Sequence, residues 1–273
     1  MSAALAALVL LASPAHLLFG EPGLGWVVVS DRGEVEMRLS KIGGERARDA
    51  ALSPDGKRWA IAVEGDSNPE LLLFKSLDAP PRRIRARGNV LDGLKFSDDG
   101  EWVFFSSNDE HQPKFESQPM LYAQVYRVRF NNGDPERLTM SRGCHMWPRP
   151  AGRDTVVVSH ATCTGGRSLE LLHMNSKREE VLLPPTSNIG ETAPHPDGRS
   201  IFFTRVVPAG TEFRWRRDGS VDSDLWLTTP VSGRLRLQWG ESGKSVLFQN
   251  NQRLWKLDAG GVVSLIANLE ATE

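Results

Sequence analysis

Ala51-Leu-Ser-Pro-Asp-Gly-Lys-Arg-Trp-Ala-Ile-Ala-Val63 reads as a short strand, a tight Asp-Gly turn and a second apolar strand, and the chain repeats it. A second copy is Leu94-Lys-Phe-Ser-Asp-Asp-Gly100 running into Trp102-Val-Phe-Phe105; a third, degenerate copy is Trp147-Pro-Arg-Pro-Ala-Gly152 running into Thr155-Val-Val-Val158. A fourth is Ala193-Pro-His-Pro-Asp-Gly198 before Ile201-Phe-Phe203, and a fifth is Leu237-Gln-Trp-Gly-Glu-Ser-Gly243 before Val246-Leu-Phe248. The turn glycines Gly56, Gly100, Gly152, Gly198 and Gly243 are 44, 52, 46 and 45 residues apart. A period of ~40 to 45 residues with four strands per unit predicts a β-propeller.

Outward from these hairpins, each copy continues into a third strand: Leu71–Phe74, Gln124–Val128, Leu169–Leu172, Asp224–Leu227 and Arg253–Leu257. Turn-rich residues and a fourth, outer strand follow. Before the first copy, Trp26-Val-Val-Val29 and Glu34–Ser40 look like a blade without its first strand. The count is six blades, giving an all-β, six-bladed propeller of four-stranded antiparallel blades. The missing inner strand comes either from His16-Leu-Leu-Phe19 or from the C-terminal Ala267-Asn-Leu-Glu270; either would remove an exposed sheet edge.

The protein has 273 residues, 25% of them charged and 40% hydrophobic, with a net charge of -1. That balance lacks the basic excess of a nucleic-acid-binding domain, and no run reaches the ~18 apolar residues of a membrane span. Ala3–Ala12 is an apolar run of signal-peptide length followed by the small-x-small Ser13-Pro-Ala15, although no Lys or Arg precedes it. The domain reading is a signal peptide over 1–15 and one propeller over 16–273, exported to the periplasm or secreted. Cys144 and Cys163 fall at adjacent ends of one expected hairpin, where they are either a disulfide, as an oxidising compartment permits, or two buried thiols.

The Ser-Pro/Asp-Asp-Gly turn, the aromatic strand after it, and the later Gln124-Val-Tyr-Arg-Val128 strand followed by Asn132-Gly-Asp-Pro-Glu-Arg-Leu-Thr139 resemble the WD40-like repeats of the TolB family of propellers. The resemblance covers most of residues 24–268 and is carried by scaffold residues. It implies the fold, and a family that includes an envelope protein, peptidase propellers and oligogalacturonate lyases. The sequence departs from the peptidases in having no Gly-x-Ser-x-Gly elbow.

Candidate functional residues are few. Asn108–Leu121 and Val207–Asp222 read as insertions between second and third strands, emerging on one face, where loops carry binding residues. The second holds Phe213-Arg-Trp-Arg-Arg217, so Phe213, Arg214, Trp215, Arg216 and Arg217 are binding candidates of hot-spot composition, with Phe115 in the first and Tyr122 directly after it. His145 and His160 share a hairpin and are weak metal candidates, whereas His195 takes the place of the turn Ser and lies on the opposite face. The function read from this pattern is noncatalytic: a monomeric binding propeller, without cofactor, for a protein or cell-envelope partner. The alternative is a propeller lyase or hydrolase acting on a polysaccharide or peptide at the channel mouth.

Overall fold

The computed structural model describes residues 16–21, 25–30, 32–39, 47–65, 68–86, 88, 91–108, 123–140, 143–161, 166–186, 189–195, 200–216, 224–229, 235–240, 243–250, 252–258 and 260–268. Over these the protein is all β, in six antiparallel sheets arranged as a six-bladed propeller. The inner strands, from blade one to blade six, are His16–Glu21, Ala47–Leu52, Leu91–Phe96, Cys144–Pro150, Ile189–Pro194 and Leu235–Gly240. Blades two to six have four strands each; blade one has three among the described residues.

The hairpins form because side chains stand in for backbone groups at the turn. In blade two the Ser53 hydroxyl donates to Asp55 Oδ1 and accepts the Arg58 N–H, while Asp55 also accepts the Lys57 N–H. Ser97 and Asp99 repeat this in blade three with the N–H groups of Trp102 and Glu101. The turn closes on a left-handed residue, Gly56 at φ 71° and Gly100 at φ 67°, a conformation that costs glycine no Cβ clash. Stacked blades cover both faces of the second strands, which is why Trp59–Val63 is buried at every position.

Blade one settles how the ring begins. His16–Glu21 pairs with Gly25–Ser30, which pairs with Val35–Leu39, so the inner strand comes from the N-terminal end of the sequence and not from the C-terminal end. The C-terminal strand Val263–Asn268 is instead the outer strand of blade six. The His16 N–H donates to Pro54 O at 3.2 Å, placing the start of this strand beside the turn at which the inner strand of blade two ends. The two therefore run in opposite directions. A blade of three strands crosses the ring an odd number of times, so the backbone must enter on the hairpin face to leave on the face where blade two begins.

Among the described residues no strand is shared across the closing seam. Phe19, Val27 and Val29 of blade one pack against Leu247, Leu254 and Ala267 of blade six. Four hydrogen bonds between described residues reinforce the seam: Gly20 N–H to Gln249 Oε1 (2.8 Å), Gln238 Nε2 to Leu18 O (2.9 Å), Arg38 Nη1 to Asn268 O (2.6 Å) and Lys256 Nζ to Arg32 O (3.4 Å).

Blade five corrects the expected insertion. Ile201–Val207 turns directly into Gly210–Arg216, the third strand, and Asp224–Thr229 is the outer strand rather than the third. The alternation of Thr211, Phe213 and Trp215 with Glu212, Arg214 and Arg216 is that of a strand with one packed face. Its charged members give it the composition of a loop.

Candidate functional site

An axial cavity of about 360 Å³ opens near the hairpin turns, where Pro54, Asp98 and His195 reach its wall. Five inner strands each contribute one charged side chain: Asp49, Lys95, Arg149, Glu191 and Arg236. Arg149 donates from Nη2 to Glu191 Oε2 at 2.9 Å and from Nη1 to Pro148 O at 3.1 Å. Arg236 Nη1 lies 3.2 Å from Asp49 Oδ1. Asp49 is anchored further by the N–H groups of Ala50 and Leu94, each at 2.9 Å.

Lys95 belongs to neither pair. Its ammonium sits among these charges in a narrow space, and loss of hydration, followed by repulsion from Arg149 and Arg236, lowers its pKa to about 7. Asp49 and Glu191 oppose that shift without cancelling it.

One wall of the cavity is held under strain. Trp147 has φ 53°, a left-handed conformation that is an outlier for a bulky side chain. Its backbone N–H donates to Ser106 Oγ (2.9 Å), its indole N–H donates to Asp92 Oδ2 (3.1 Å), and the Arg167 guanidinium lies 4.5 Å over its ring. The neighbouring Gly93, at φ 71°, permits the approach: a Cβ there would meet Trp147 Cα at 3.0 Å. Gly93→Ala should therefore lower the urea unfolding free energy by about 1–2 kcal/mol from the left-handed backbone alone. A loss below about 0.5 kcal/mol, less than that backbone term, would show that residue 93 relaxes out of the left-handed region.

On the opposite face His145 and His160 are directly paired across the inner and second strands of blade four, with rings 4.1 Å apart and 17° from parallel. Glu170 joins them from the third strand: its Oε1 is 2.8 Å from His160 Nδ1 and 2.9 Å from the Ser168 hydroxyl, and its Oε2 is 3.9 Å from His145 Nε2. Two histidines and a glutamate are a metal-binding type of donor set. Near-parallel stacked rings, however, keep their in-plane lone pairs in two nearly parallel planes, whereas metal–nitrogen bonds of ~2.0–2.1 Å need them to converge on one point. As arranged, the cluster is a buried hydrogen-bonded charge network. Burial, then the charge of His160, lowers the His145 pKa to about 4. Burial by itself would raise Glu170, but the hydrogen bonds from His160 and Ser168 hold its carboxyl below the ordinary value.

The other expected site residues are dispersed. Phe213 is fully buried between blades five and six. Trp215 lies in an aromatic cluster, 4.9 Å from Trp239 and 5.4 Å from His195. Arg214 pairs with Glu212 at 2.8 Å, and Arg216 sits opposite Ile201 in the sheet. These residues make part of a blade interface and do not project from a loop. Phe115, Tyr122, Arg217 and Cys163 lie outside the described residues; Cys144 is buried opposite Ala161. His195 lies at the hairpin end, on the face opposite His145 and His160 as its place in the turn implied, and lines the axial cavity. Reading the repeats as scaffold passes over the charged set, although Asp49, Lys95, Arg149, Glu191 and Arg236 all lie in the short strands just before the five hairpin turns.

No family model matches this protein, and no curated protein does either. Solved structures do. TolB from Acinetobacter baumannii aligns with a TM-score of 0.68 at 15% identity, over 90% of this chain and 61% of that one. A TolB structure from Agrobacterium tumefaciens gives 0.64 at 15% identity over 94% and 90%, and a puromycin-hydrolyzing peptidase from Mycobacterium tuberculosis gives 0.59 at 14% over 96% and 46%. The present protein thus spans less than two thirds of the Acinetobacter one. At these identities the likeness is one of fold: on repeat, blade number and architecture together the protein is a six-bladed β-propeller similar in fold to the TolB structures.

Proposed function

We propose that this protein is a noncatalytic binding propeller that receives a segment of a protein or cell-envelope partner in its axial cavity. The observation that carries the reading is the cavity itself, walled by charged side chains from five blades and by the strained Trp147. Binding residues held on rigid strands, at the mouth of a ring, are the usual construction of a preorganised site. Asp49 and Glu191 are each engaged by an arginine, and among the described lining residues none is Ser, Thr or Cys, so Lys95 is the side chain on which a catalytic reading would have to rest. The solved structures of similar fold include both TolB proteins and a peptidase, so fold alone does not choose between these readings.

Export completes the proposal. The apolar run ends before Ala15, and the first strand starts at His16 beside the cavity mouth. No helix among the described residues is long and apolar enough to cross a membrane.

The test is crosslinking capture from the native envelope fraction with wild type and with Lys95→Trp, which fills the cavity; Lys95→Phe is a smaller block should the indole prevent folding. Partners taken by wild type and lost with the blocked variants support the reading. Identical captured sets would overturn it.

A further inference from the structure

We propose that the axial cavity binds a carboxylate carried by a peptide, either its C-terminus or an Asp or Glu side chain, between Lys95, Arg149 and Arg236. The inference rests on the docking reading above and names the group that the cavity recognises.

Three features of the wall point to an anion. On the inner strands Lys95, Arg149 and Arg236 face Asp49 and Glu191, three cations against two carboxylates, so this set carries one positive charge in excess, with the carboxylate of Asp98 outside it at the rim. Each arginine spends one terminal nitrogen on its carboxylate and leaves Nε buried with no hydrogen-bond partner. Arg149 is only 9% exposed, and a buried, unsatisfied guanidinium N–H is costly unless something supplies an acceptor. Those Nε atoms are closed off from the cavity, so a carboxylate entering it meets the accessible parts of the two arginine side chains and the Lys95 ammonium, a donor that neither internal pair uses.

The charge excess matches a monoanion better than a dianionic phosphate. The remaining wall favours a peptide over an acidic sugar. Leu17, Leu52 and Phe96 line it with apolar surface, while the aromatic rings that a sugar would stack on are already engaged. Arg167 covers Trp147, and Trp239 meets His195 and Trp215 edge to face.

Protonation of Lys95 should govern the affinity. From its own strand and the four strands around it, Lys95 is faced by Arg149, Arg236, Asp49 and Glu191, with Asp98, His16 and His195 at the rim. Its lowered pKa, about 7, means the empty cavity loses its excess charge as pH rises through neutrality.

Calorimetry on the full-length protein at pH 6 tests this with four probes: acetyl-Leu-Ala with a free C-terminus, acetyl-Leu-Glu-amide, acetyl-Leu-Gln-amide and trigalacturonate. The two carboxylate peptides should bind at least tenfold more tightly than the uncharged one, and raising the pH to 8.5 should weaken them about tenfold or more. Lys95→Met keeps the aliphatic stem and removes the charge, so it should erase the carboxylate preference without lowering the melting temperature. Equal binding of charged and uncharged peptides, or an unchanged preference in Lys95→Met, would overturn the inference. Binding of trigalacturonate alone would overturn it in favour of a polysaccharide. The two readings fail separately: if Lys95→Trp abolishes partner capture while Lys95→Met leaves it intact and the peptides do not discriminate, docking stands and carboxylate recognition falls.

Discussion

Phe19→Ala should destabilise the protein by about 3–5 kcal/mol, the range for truncating a fully buried Phe. Phe19 is 0% exposed and sits in the seam where blade one meets blade six. Among the described residues that seam has no strand running through it, so the ring is closed there by side-chain packing and hydrogen bonds rather than by a sheet. The cavity left by the missing ring removes contacts to Val27, Val29, Leu247 and Leu254 at once. Urea unfolding measures the loss, and native-state hydrogen exchange locates it: protection should fall in His16–Glu21 and Val263–Asn268 before other strands. A loss below about 1 kcal/mol, far under the range for a buried Phe, would mean that the seam contributes little to closure.

Acid should destabilise the fold by about 3 kcal/mol through His145 between about pH 6.5 and 4. The folded state holds this imidazole neutral down to about pH 4, whereas the unfolded state protonates it near 6.5. Between those values the unfolded state binds more protons, so the contribution is complete above about 6.5 and is lost as pH falls toward 4. Glu170 acts in the same direction at lower pH, since its folded pKa is also depressed. Unfolding free energies at pH 7.5, 5.5 and 4.5 for wild type and His145→Gln separate the two. The variant should be less stable at neutral pH and show a flatter dependence between about 6.5 and 4.5. Parallel curves would place the titrating group elsewhere.

The hairpins could be read directly because their information is local. Ser53, Asp55 and Gly56 make their own turn, short apolar runs mark the strands on either side, and five copies in register with the partial blade before them count six blades. Gly210–Arg216 escapes such a reading because alternating Arg and Glu obscure its one packed face. The packing that draws Trp215 against the core is supplied in part by Trp239, contributed by the next blade. The parity of blade one is equally out of reach: nothing in Leu17-Leu-Phe19 says which way the strand runs, and only contact with Pro54 and Gln249 decides it.

The axial site shows the same division most clearly. Residues 49, 95, 149, 191 and 236 are each ordinary charges within a short strand, and their pairing depends on five blades converging on one axis. Repeat, turn chemistry and blade number follow from the chain itself, because they rest on hydrogen bonds and apolar patterns within a few residues. The direction of the first strand, the closing seam and the charges gathered at the axis follow from ring closure, which brings residues of different blades within reach of one another, and the meeting of His145 and His160 with Glu170 follows from the register of three strands in blade four.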